Sequence, residues 1–236
     1  MKQTRLTFKR YEQKYLLSAE QYASFKQRLD EYIQPDEYFK STVCSVYYDT
    51  ADFDFIRSSI DSPLYKEKLR LRSYNIPTAD STVFVELKEK FQGLVYKRRI
   101  AMTEREAADY LSGKSALKDN SQPGREIDWF LRTNSVSPKV FLASDREAYV
   151  GIKDNELRIT FDRDIRWRGY DLDLTLGSYG ENVTESGQVL MEIKMPESSP
   201  MWLARMLSEE KVFPTGFSKY GECYKENLFY GVTSNV

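Results

Sequence analysis

The sequence contains no histidine and only two cysteines, Cys44 and Cys223, among its 236 residues. The absence of histidine excludes a phosphohistidine intermediate, an imidazole general base and the commonest zinc ligand. Two cysteines form neither a zinc cluster nor a disulfide framework, which favours a reduced, cytoplasmic setting. The chemistry of any site in this chain must therefore rest on carboxylates, hydroxyls, lysines and arginines.

Long apolar runs and a strong net charge are missing as well. No stretch approaches the ~18 consecutive apolar residues of a membrane span, and residues 1–8 lack the apolar segment of a signal peptide. Lys and Arg total 35 against 36 Asp and Glu, a formal net charge of −1. This balance excludes a whole-protein field that would draw the chain onto nucleic acid or an anionic membrane. Affinity for an anion must come from the local placement of charges.

Period-two alternation of apolar and polar residues predicts a chain that is mostly β-sheet. The predicted strands are 5–16, 43–49, 66–74, 82–90, 94–102, 139–151, 156–163, 166–174 and 188–195. The predicted helices are 18–33, 103–112, 124–133 and 198–211, and Thr103 with Glu106 has the spacing of a capping box. No repeat or linker divides the chain. We therefore expect a single α+β domain over residues 1–236, mostly antiparallel, with helices outside the sheet.

Several predicted strands carry cations on one face. Lys66, Lys68, Arg70 and Arg72 share a face along ~20 Å of strand, where like charges repel one another. The same alternation places further charged side chains opposite apolar ones. They are Arg10, Glu12, Lys14, Glu86, Lys88, Lys90, Lys97, Arg99, Arg158, Asp162, Glu192 and Lys194.

A single closed barrel of about eight antiparallel strands would explain this pattern. Its apolar faces would point outward under the helices, and its charged faces would surround an anion together with a divalent metal. Plainer readings stay open for each strand taken alone. A row of Lys and Arg can be a solvated sheet face or a protected edge. Glu86 with Lys88, or Glu192 with Lys194, can be an ion pair of small energetic consequence.

Nine short segments occur in an order and at spacings that are typical of one known family. They are Arg10–Tyr15, Ser45–Thr50, Lys68–Arg72, Val85–Lys88, Lys97–Arg99, Asp145–Tyr149, Leu157–Asp162, Met191–Lys194 and Phe217–Tyr220. Together they resemble the VTC (vacuolar transporter chaperone) polyphosphate polymerase domain. That family belongs to the triphosphate tunnel metalloenzymes, which also include the CYTH triphosphatases and the class IV adenylate cyclases.

The resemblance implies a tunnel of eight antiparallel strands in which the γ-phosphoryl group of ATP passes to a growing inorganic polyphosphate chain. It implies catalytic, phosphate-binding cations at Lys14, Arg70, Arg72, Lys88, Lys97, Arg146 and Arg158. Further substrate contacts are expected at Ser218, Lys219, Lys68, Arg99 and Lys194. Glu192 is the expected ligand of Mn²⁺ or Mg²⁺, with Glu86 as a second candidate. The expected partners are ATP with polyphosphate or pyrophosphate, and no nucleic acid; a membrane-protein partner stays open.

One departure from the wider superfamily favours the polymerase. The triphosphatases and cyclases begin with Glu-x-Glu-x-Lys, and the corresponding stretch here runs from Arg10 to Lys14, with arginine in place of the first glutamate. Loss of that carboxylate weakens hydrolysis by two metal ions, in which the second ion activates water. Direct in-line transfer between phosphates needs no general base, because the attacking phosphate is already ionised.

Two rival functions remain open at this point. A tripolyphosphatase or nucleoside triphosphatase would use the same cations and differ only in that water attacks. A non-catalytic polyphosphate-binding subunit would need the cations without turnover.

Overall fold

The computed structural model describes residues 11–61, 64–91, 94–195 and 198–228. The strands are β1 (Tyr11–Leu17), β2 (Ile33–Asp49), β3 (Tyr65–Tyr74), β4 (Thr82–Phe91), β5 (Leu94–Thr103), β6 (Ser137–Gly151), β7 (Arg158–Arg168), β8 (Glu181–Asn182) and β9 (Val189–Met195). The helices are α1 (Ala19–Leu29), α2 (Asp54–Asp61), α3 (Glu104–Leu111), α4 (Gln122–Thr133), α5 (Met201–Glu209) and α6 (Lys219–Cys223). A 3₁₀ turn (Leu174–Leu176) and a π-helical turn (Tyr224–Leu228) complete the elements. None of the helices in these ranges is long and apolar enough to cross a membrane.

Side-chain caps fix where the predicted helices begin. Thr103 accepts a hydrogen bond from the Glu106 backbone N–H, and the Glu106 side chain accepts one from the backbone of Thr103, which confirms the predicted capping box. Ser18 and Gln21 form the same arrangement before α1. Because each box satisfies backbone donors at the first turn, the helix leaves the preceding strand abruptly.

The strands form one antiparallel sheet that does not close into a barrel. Its order is β1-β9-β7-β6-β2-β3-β4-β5, and β8 pairs with β7. Within the described ranges, β1 and β5 end this path and no pairing joins them, so the prediction of a closed barrel is wrong. Alternation determines which face of a strand is apolar, but it carries no information on whether the two outermost strands pair. The part of the first predicted strand that precedes Tyr11 lies outside the described residues.

The observed elements differ from the predicted ones at three further places. β2 begins at Ile33 rather than at residue 43. Its first half contains Pro35 and charged residues, which are unfavourable in strands, so the sequence pattern did not predict that half. The predicted strands 156–163 and 166–174 are replaced by the single strand β7, which continues through Asp164 at φ 48°. The helix α2 has no counterpart among the predicted elements.

The described residues fall into two compact units, each with its own core. The first unit lies within Met1–Ser41, Asp145–Asp164 and Thr184–Phe217. Its core joins the apolar faces of β1, β7 and β9 to α1 and α5, through side chains such as Phe25, Met191 and Leu203. Three strands, β2, β6 and β7, contribute residues to both units.

The second unit lies within Thr42–Ser144, Ile165–Val183 and Ser218–Val236. Its core packs Leu69, Val85 and Ile100 of β3, β4 and β5 against α3 and α4, which contribute Tyr110 and Phe130. In both units the helices therefore cover the apolar face of the strands, and the charged face is the opposite one.

A buried carboxylate holds two helices of the second unit. Asp49 is fully buried and accepts hydrogen bonds from the backbone N–H groups of Thr50, Phe55 and Ile56 at 2.8 to 3.1 Å. It also accepts one at 3.0 Å from the hydroxyl of Tyr220 on α6. Asp49 thus accepts hydrogen bonds from backbone N–H groups in the first turn of α2 and, through the Tyr220 hydroxyl, also fixes the position of α6.

We expect Asp49→Ala to destabilise the protein by roughly 2 to 4 kcal/mol. Loss of a helix cap costs about 0.5–2 kcal/mol, and the buried Tyr220 hydroxyl would lose its partner at a cost of about 1–3 kcal/mol. Urea unfolding measures the change. The control is Asp52→Ala, the same substitution at an exposed position three residues away, which should change stability by less than about 0.5 kcal/mol. Equal stabilities of the two variants would contradict this role.

Candidate functional site

The charged face of the second unit is built by β2, β3, β4 and β5. The register places Arg70 opposite Glu86, and Glu86 opposite Arg99. One level further along the strands, three lysines stand side by side in the order Lys68, Lys88 and Lys97. Like charges in neighbouring strands repel, so this face needs an opposing negative group.

Glu86 supplies that negative group. Its side chain is 1% exposed, and Oε2 lies 2.8 Å from Arg70 Nε and 2.7 Å from Arg70 Nη2. Oε1 lies 2.8 Å from Lys97 Nζ and also accepts hydrogen bonds from the Arg99 guanidinium. Arg72 Nη1 is 4.0 Å from Oε2. Four cationic side chains therefore converge on one carboxylate.

The charges shift the pKa values of this cluster strongly. Burial alone would raise the pKa of Glu86, but Arg70, Arg72 and Lys97 hold it well below its usual range. Burial would also raise the pKa of Tyr47, whose hydroxyl accepts a hydrogen bond from Arg70 Nη1 at 3.0 Å. The cations outweigh burial and lower the pKa of Tyr47 to about 7. The neighbouring cations thus favour the ionised form of the Tyr47 phenol.

Hydroxyl groups orient further cations of this face. Lys68 Nζ donates to Ser218 Oγ at 2.9 Å, and Ser218 is the N-cap of α6. Arg72 Nε donates to Ser45 Oγ at 3.1 Å. Lys219 follows as the first residue of α6 and is half-buried. Side chains other than carboxylates thus hold the phosphate-binding candidates Lys68 and Arg72 in place.

The charged face of the first unit centres on Glu192. Glu192 lies on β9, and its cross-strand partner on β1 is Lys14. The Nζ of Lys14 is 3.5 Å from Glu192 Oε1. Arg146 Nη2 and Lys194 Nζ each lie 4.0 Å from Oε2. Lys14 Nζ also donates to the backbone carbonyl of Phe217 at 3.2 Å. The nitrogens of Lys14, Arg146 and Lys194 thus lie farther from the Glu192 oxygens than those of Arg70 and Lys97 lie from the Glu86 oxygens.

Arg146 and Arg158 have closer partners in the first unit. Arg146 makes a two-pronged contact with buried Asp162, with Nε–Oδ1 and Nη2–Oδ2 both 2.6 Å. Arg158 Nη1 lies 2.5 Å from Asp36 Oδ2, and the Arg158 side chain is half-exposed. The planar contact with Asp162 fixes the orientation of the Arg146 guanidinium.

The two candidate metal ligands differ in what already surrounds them. Within the described ranges no group of three or more Cys, Asp or Glu side chains could hold an ion on its own. Mg²⁺ commonly binds through one or two carboxylates plus substrate phosphates, and Glu192, a largely buried carboxylate on the charged face, supplies such a hard oxygen donor. Glu86 fits this binding mode poorly, because both its oxygens already accept close contacts from Arg and Lys.

The structure therefore gathers the predicted site residues into two sets. Arg70, Arg72, Lys88, Lys97, Arg99, Lys68, Ser218, Lys219 and Glu86 belong to the second unit, and Lys14, Arg146, Arg158, Lys194 and Glu192 belong to the first. The sequence pattern indicates no role for Tyr47, and it indicates Asp162 only as a charged-face residue. One feature of the sequence points to Tyr47: it follows Val46 in the predicted strand 43–49, so its side chain is expected on the face opposite that of Val46. Asp36 lies in the part of β2 that was not predicted.

Comparison with known proteins identifies the family. The sequence profile of the VTC domain matches residues 9–227. The chain belongs to the VTC domain family. This confirms the resemblance that the nine segments indicated. A search of curated proteins gave no significant match.

Solved structures show the same fold at low sequence identity. A candidate adenylate cyclase from Bacillus halodurans has a TM-score of 0.54 and 14% identity, with 88% of this chain and 92% of that chain covered. A candidate adenylate cyclase from Vibrio parahaemolyticus has a TM-score of 0.50 and 11% identity, with 95% and 99% covered. At such identities the likeness concerns the fold alone.

We expect Glu86→Gln to lower the stability of the protein by about 3 kcal/mol at neutral pH, because it leaves Arg70, Arg99 and Lys97 without their counter-charge. The pKa of Glu86 is lowered in the folded protein, so its contribution is complete above the unfolded pKa of about 4.3 and is lost as the pH falls below it. The difference between wild type and variant should therefore shrink in acid. Urea unfolding between pH 3 and 7, at roughly one-unit intervals, measures it.

Glu89→Gln is the matched control, because Glu89 lies on the same strand but on the opposite face. Its pKa is raised by burial and by Glu67 and Glu126, so removing its charge should leave stability unchanged or increase it.

Inorganic tripolyphosphate should raise the melting temperature of Glu86→Gln more than that of wild type, because the anion replaces the missing charge. A Glu86→Gln protein as stable as wild type at pH 7 would refute the role of Glu86.

Proposed function

We propose that this chain is a polyphosphate polymerase that transfers the γ-phosphoryl group of ATP to an inorganic polyphosphate chain. The observation that carries the proposal is the cationic face of the second unit. There Arg70, Arg99 and Lys97 converge on the single carboxylate of Glu86, and Lys68 and Lys88 extend the row of cations. A surplus of oriented cations along strands suits a linear polyanion.

The residues support transfer by positioning and charge neutralisation. The guanidinium groups of Arg70 and Arg99 are fixed by Glu86, so they offer rigid donors to phosphate oxygens. Such pre-organised donors hold donor and acceptor phosphates in line and stabilise the charge of the transition state. The acceptor phosphate is already ionised, which is consistent with a chain that has no histidine.

Glu192 is the residue that we assign to the divalent metal, Mn²⁺ or Mg²⁺. When bound, such an ion neutralises charge on phosphate oxygens and on the leaving diphosphate. Lys14, Lys194 and Arg146 lie 3.5 to 4.0 Å from Glu192 and surround its carboxylate with positive charge. We assign phosphate binding to Lys14, Arg146 and Arg158 in this unit, in line with family membership.

Incubation of the purified chain with ATP and Mn²⁺ tests the proposal directly. We expect release of ADP together with an acid-labile polymer that is visible on a polyphosphate gel, and short polyphosphate or pyrophosphate primer should shorten any lag. The reason is that an acceptor phosphate held next to the γ-phosphate has a high effective concentration relative to water. Lys88→Gln should lower the rate of polymer formation by at least about tenfold through loss of a charged contact.

The control for that variant is Lys114→Gln, which removes an exposed lysine of the same unit and should leave the rate unchanged. Orthophosphate released in step with ADP, without polymer, would make the protein a hydrolase. Polyphosphate binding without any ADP would make it a binding subunit.

The role of Glu192 gives a separate prediction. Glu192→Gln keeps the shape of the side chain and removes its charge, so we expect a folded protein that still binds polyphosphate but turns ATP over at least about 100-fold more slowly at saturating Mn²⁺. The control Glu31→Gln, at an exposed glutamate of the same unit, should retain the wild-type rate. Near wild-type turnover by Glu192→Gln would move the metal assignment to another carboxylate.

A further inference from the structure

The cationic face of the second unit has two chemically different ends. At one end Lys66 stands opposite Lys90, whose other cross-strand neighbour is Val95. At the other end Arg72 stands opposite Phe84, and Tyr74 follows two residues later on the same face of β3. Among the described residues of this face, one end thus carries cations without an aromatic ring, because Tyr65 and Phe91 point to the other face, and the other end combines cations with aromatic rings.

The aromatic end is organised by the same arginine that contacts Glu86. The Arg99 guanidinium lies 4.3 Å from the centre of the Phe84 ring and 5.9 Å from that of Tyr74. Arg99 Nη2 also donates to the Tyr74 hydroxyl at 3.1 Å. The Tyr74 and Phe84 rings meet edge to face at 5.9 Å. Glu86, Arg99, Tyr74 and Phe84 therefore form one connected group.

This aromatic group is open to solvent where a ligand could reach it. Tyr74 is 41% exposed, Phe84 is half-buried, and Ala101, the partner of Phe84 on β5, is exposed and has only a methyl group. Aromatic rings and guanidinium planes are the surfaces on which nucleic acid bases stack, and stacking tolerates any base because each has a π-face.

The distances along the strands match a nucleotide whose phosphates lie on the cations. At a rise of ~3.3 Å per residue, the level of Glu86, with Arg70 and Arg99, is ~7 Å from Phe84, and the level of Lys88 is ~13 Å away. A base at Phe84 therefore places a triphosphate between the arginines and the row of three lysines.

We propose that Tyr74, Phe84 and the Arg99 guanidinium form a subsite for the nucleobase of the triphosphate donor, at the end of the cationic face that lies away from Lys66 and Lys90. The inference rests on the proposed function, because it assumes that the donor is a nucleotide. It gives the face a direction: the nucleoside occupies the aromatic end, and the lysine end takes phosphates that carry no base.

Equilibrium binding separates the base from the phosphates. The β,γ-imido analogue of ATP and inorganic tripolyphosphate are titrated calorimetrically, in the same Mg²⁺ buffer, into wild type, Tyr74→Leu and Phe84→Leu. Each leucine variant should weaken binding of the ATP analogue about five- to tenfold, the loss expected for one base–aromatic contact. Binding of tripolyphosphate should change by less than about twofold, because the cations remain.

Tyr96→Leu is the matched control. Tyr96 is 40% exposed, close to the exposure of Tyr74, and lies on the opposite face of the same sheet. It should alter neither affinity. Phe84→Leu keeps an apolar side chain, and Tyr74→Leu changes an exposed residue, so circular dichroism should show both variants folded.

Four results would overturn the subsite. Unchanged affinity of both leucine variants for the ATP analogue would show that the rings do not contact the base. Equal weakening of both ligands would show that the rings act on the phosphate cluster instead. A wild-type protein that binds the ATP analogue no more tightly than tripolyphosphate would refute the subsite and leave the proposed function standing. Wild type that binds neither ligand would refute the proposed function, and the subsite with it.

Discussion

The buried Glu86 carboxylate is the interaction on which the cationic face of the second unit depends. Arg70, Arg99 and Lys97 contact it directly, and Arg72 lies 4.0 Å away. Without this charge, the cations on β3 and β5 would repel one another across β4. Four cations surround this one carboxylate, and we propose that the excess of positive charge attracts an anionic ligand. The same contacts fix the guanidinium planes, so a ligand meets donors that are already oriented.

The charged side chains of the first unit are arranged differently from those of the second unit. Asp162 is fully buried and binds Arg146 through two bonds of 2.6 Å, which fixes that arginine as Glu86 fixes Arg70. Glu192 instead has Lys14, Arg146 and Lys194 at 3.5 to 4.0 Å. Carboxylate oxygen is the hard donor that Mg²⁺ or Mn²⁺ binds together with phosphate oxygens, and on this chemistry we propose Glu192 as the metal ligand. Glu86 and Glu192 thus differ in the distances to the cations that surround them.

The sequence allowed the faces of the strands to be predicted, but not the closure of the sheet. Lys68, Arg70 and Arg72 alternate with Leu69 and Leu71, and the structure places those leucines in the core. Alternation is a local property, whereas the pairing of the outermost strands depends on distant parts of the chain. For the same reason, composition could not distinguish Glu86 from Glu192 as a metal candidate. That difference depends on cross-strand distances to Arg70 and Lys97, which no sequence period encodes.

A formal net charge of −1 has a consequence for selectivity. The net charge of the whole protein does not attract polyanions, so the proposed binding depends on the local face where Lys68, Lys88 and Lys97 stand in register. Enclosed or partly buried charges are screened by salt less than exposed ones, and the fixed spacing of these lysines favours ligands whose charges repeat along a flexible line. Duplex nucleic acid is a rigid ligand that presents its phosphates on a wide surface, and it cannot bring successive phosphates onto one narrow set of strands. If the proposed function holds, selectivity for a phosphate chain follows from the geometry of the sheet face rather than from the amount of positive charge.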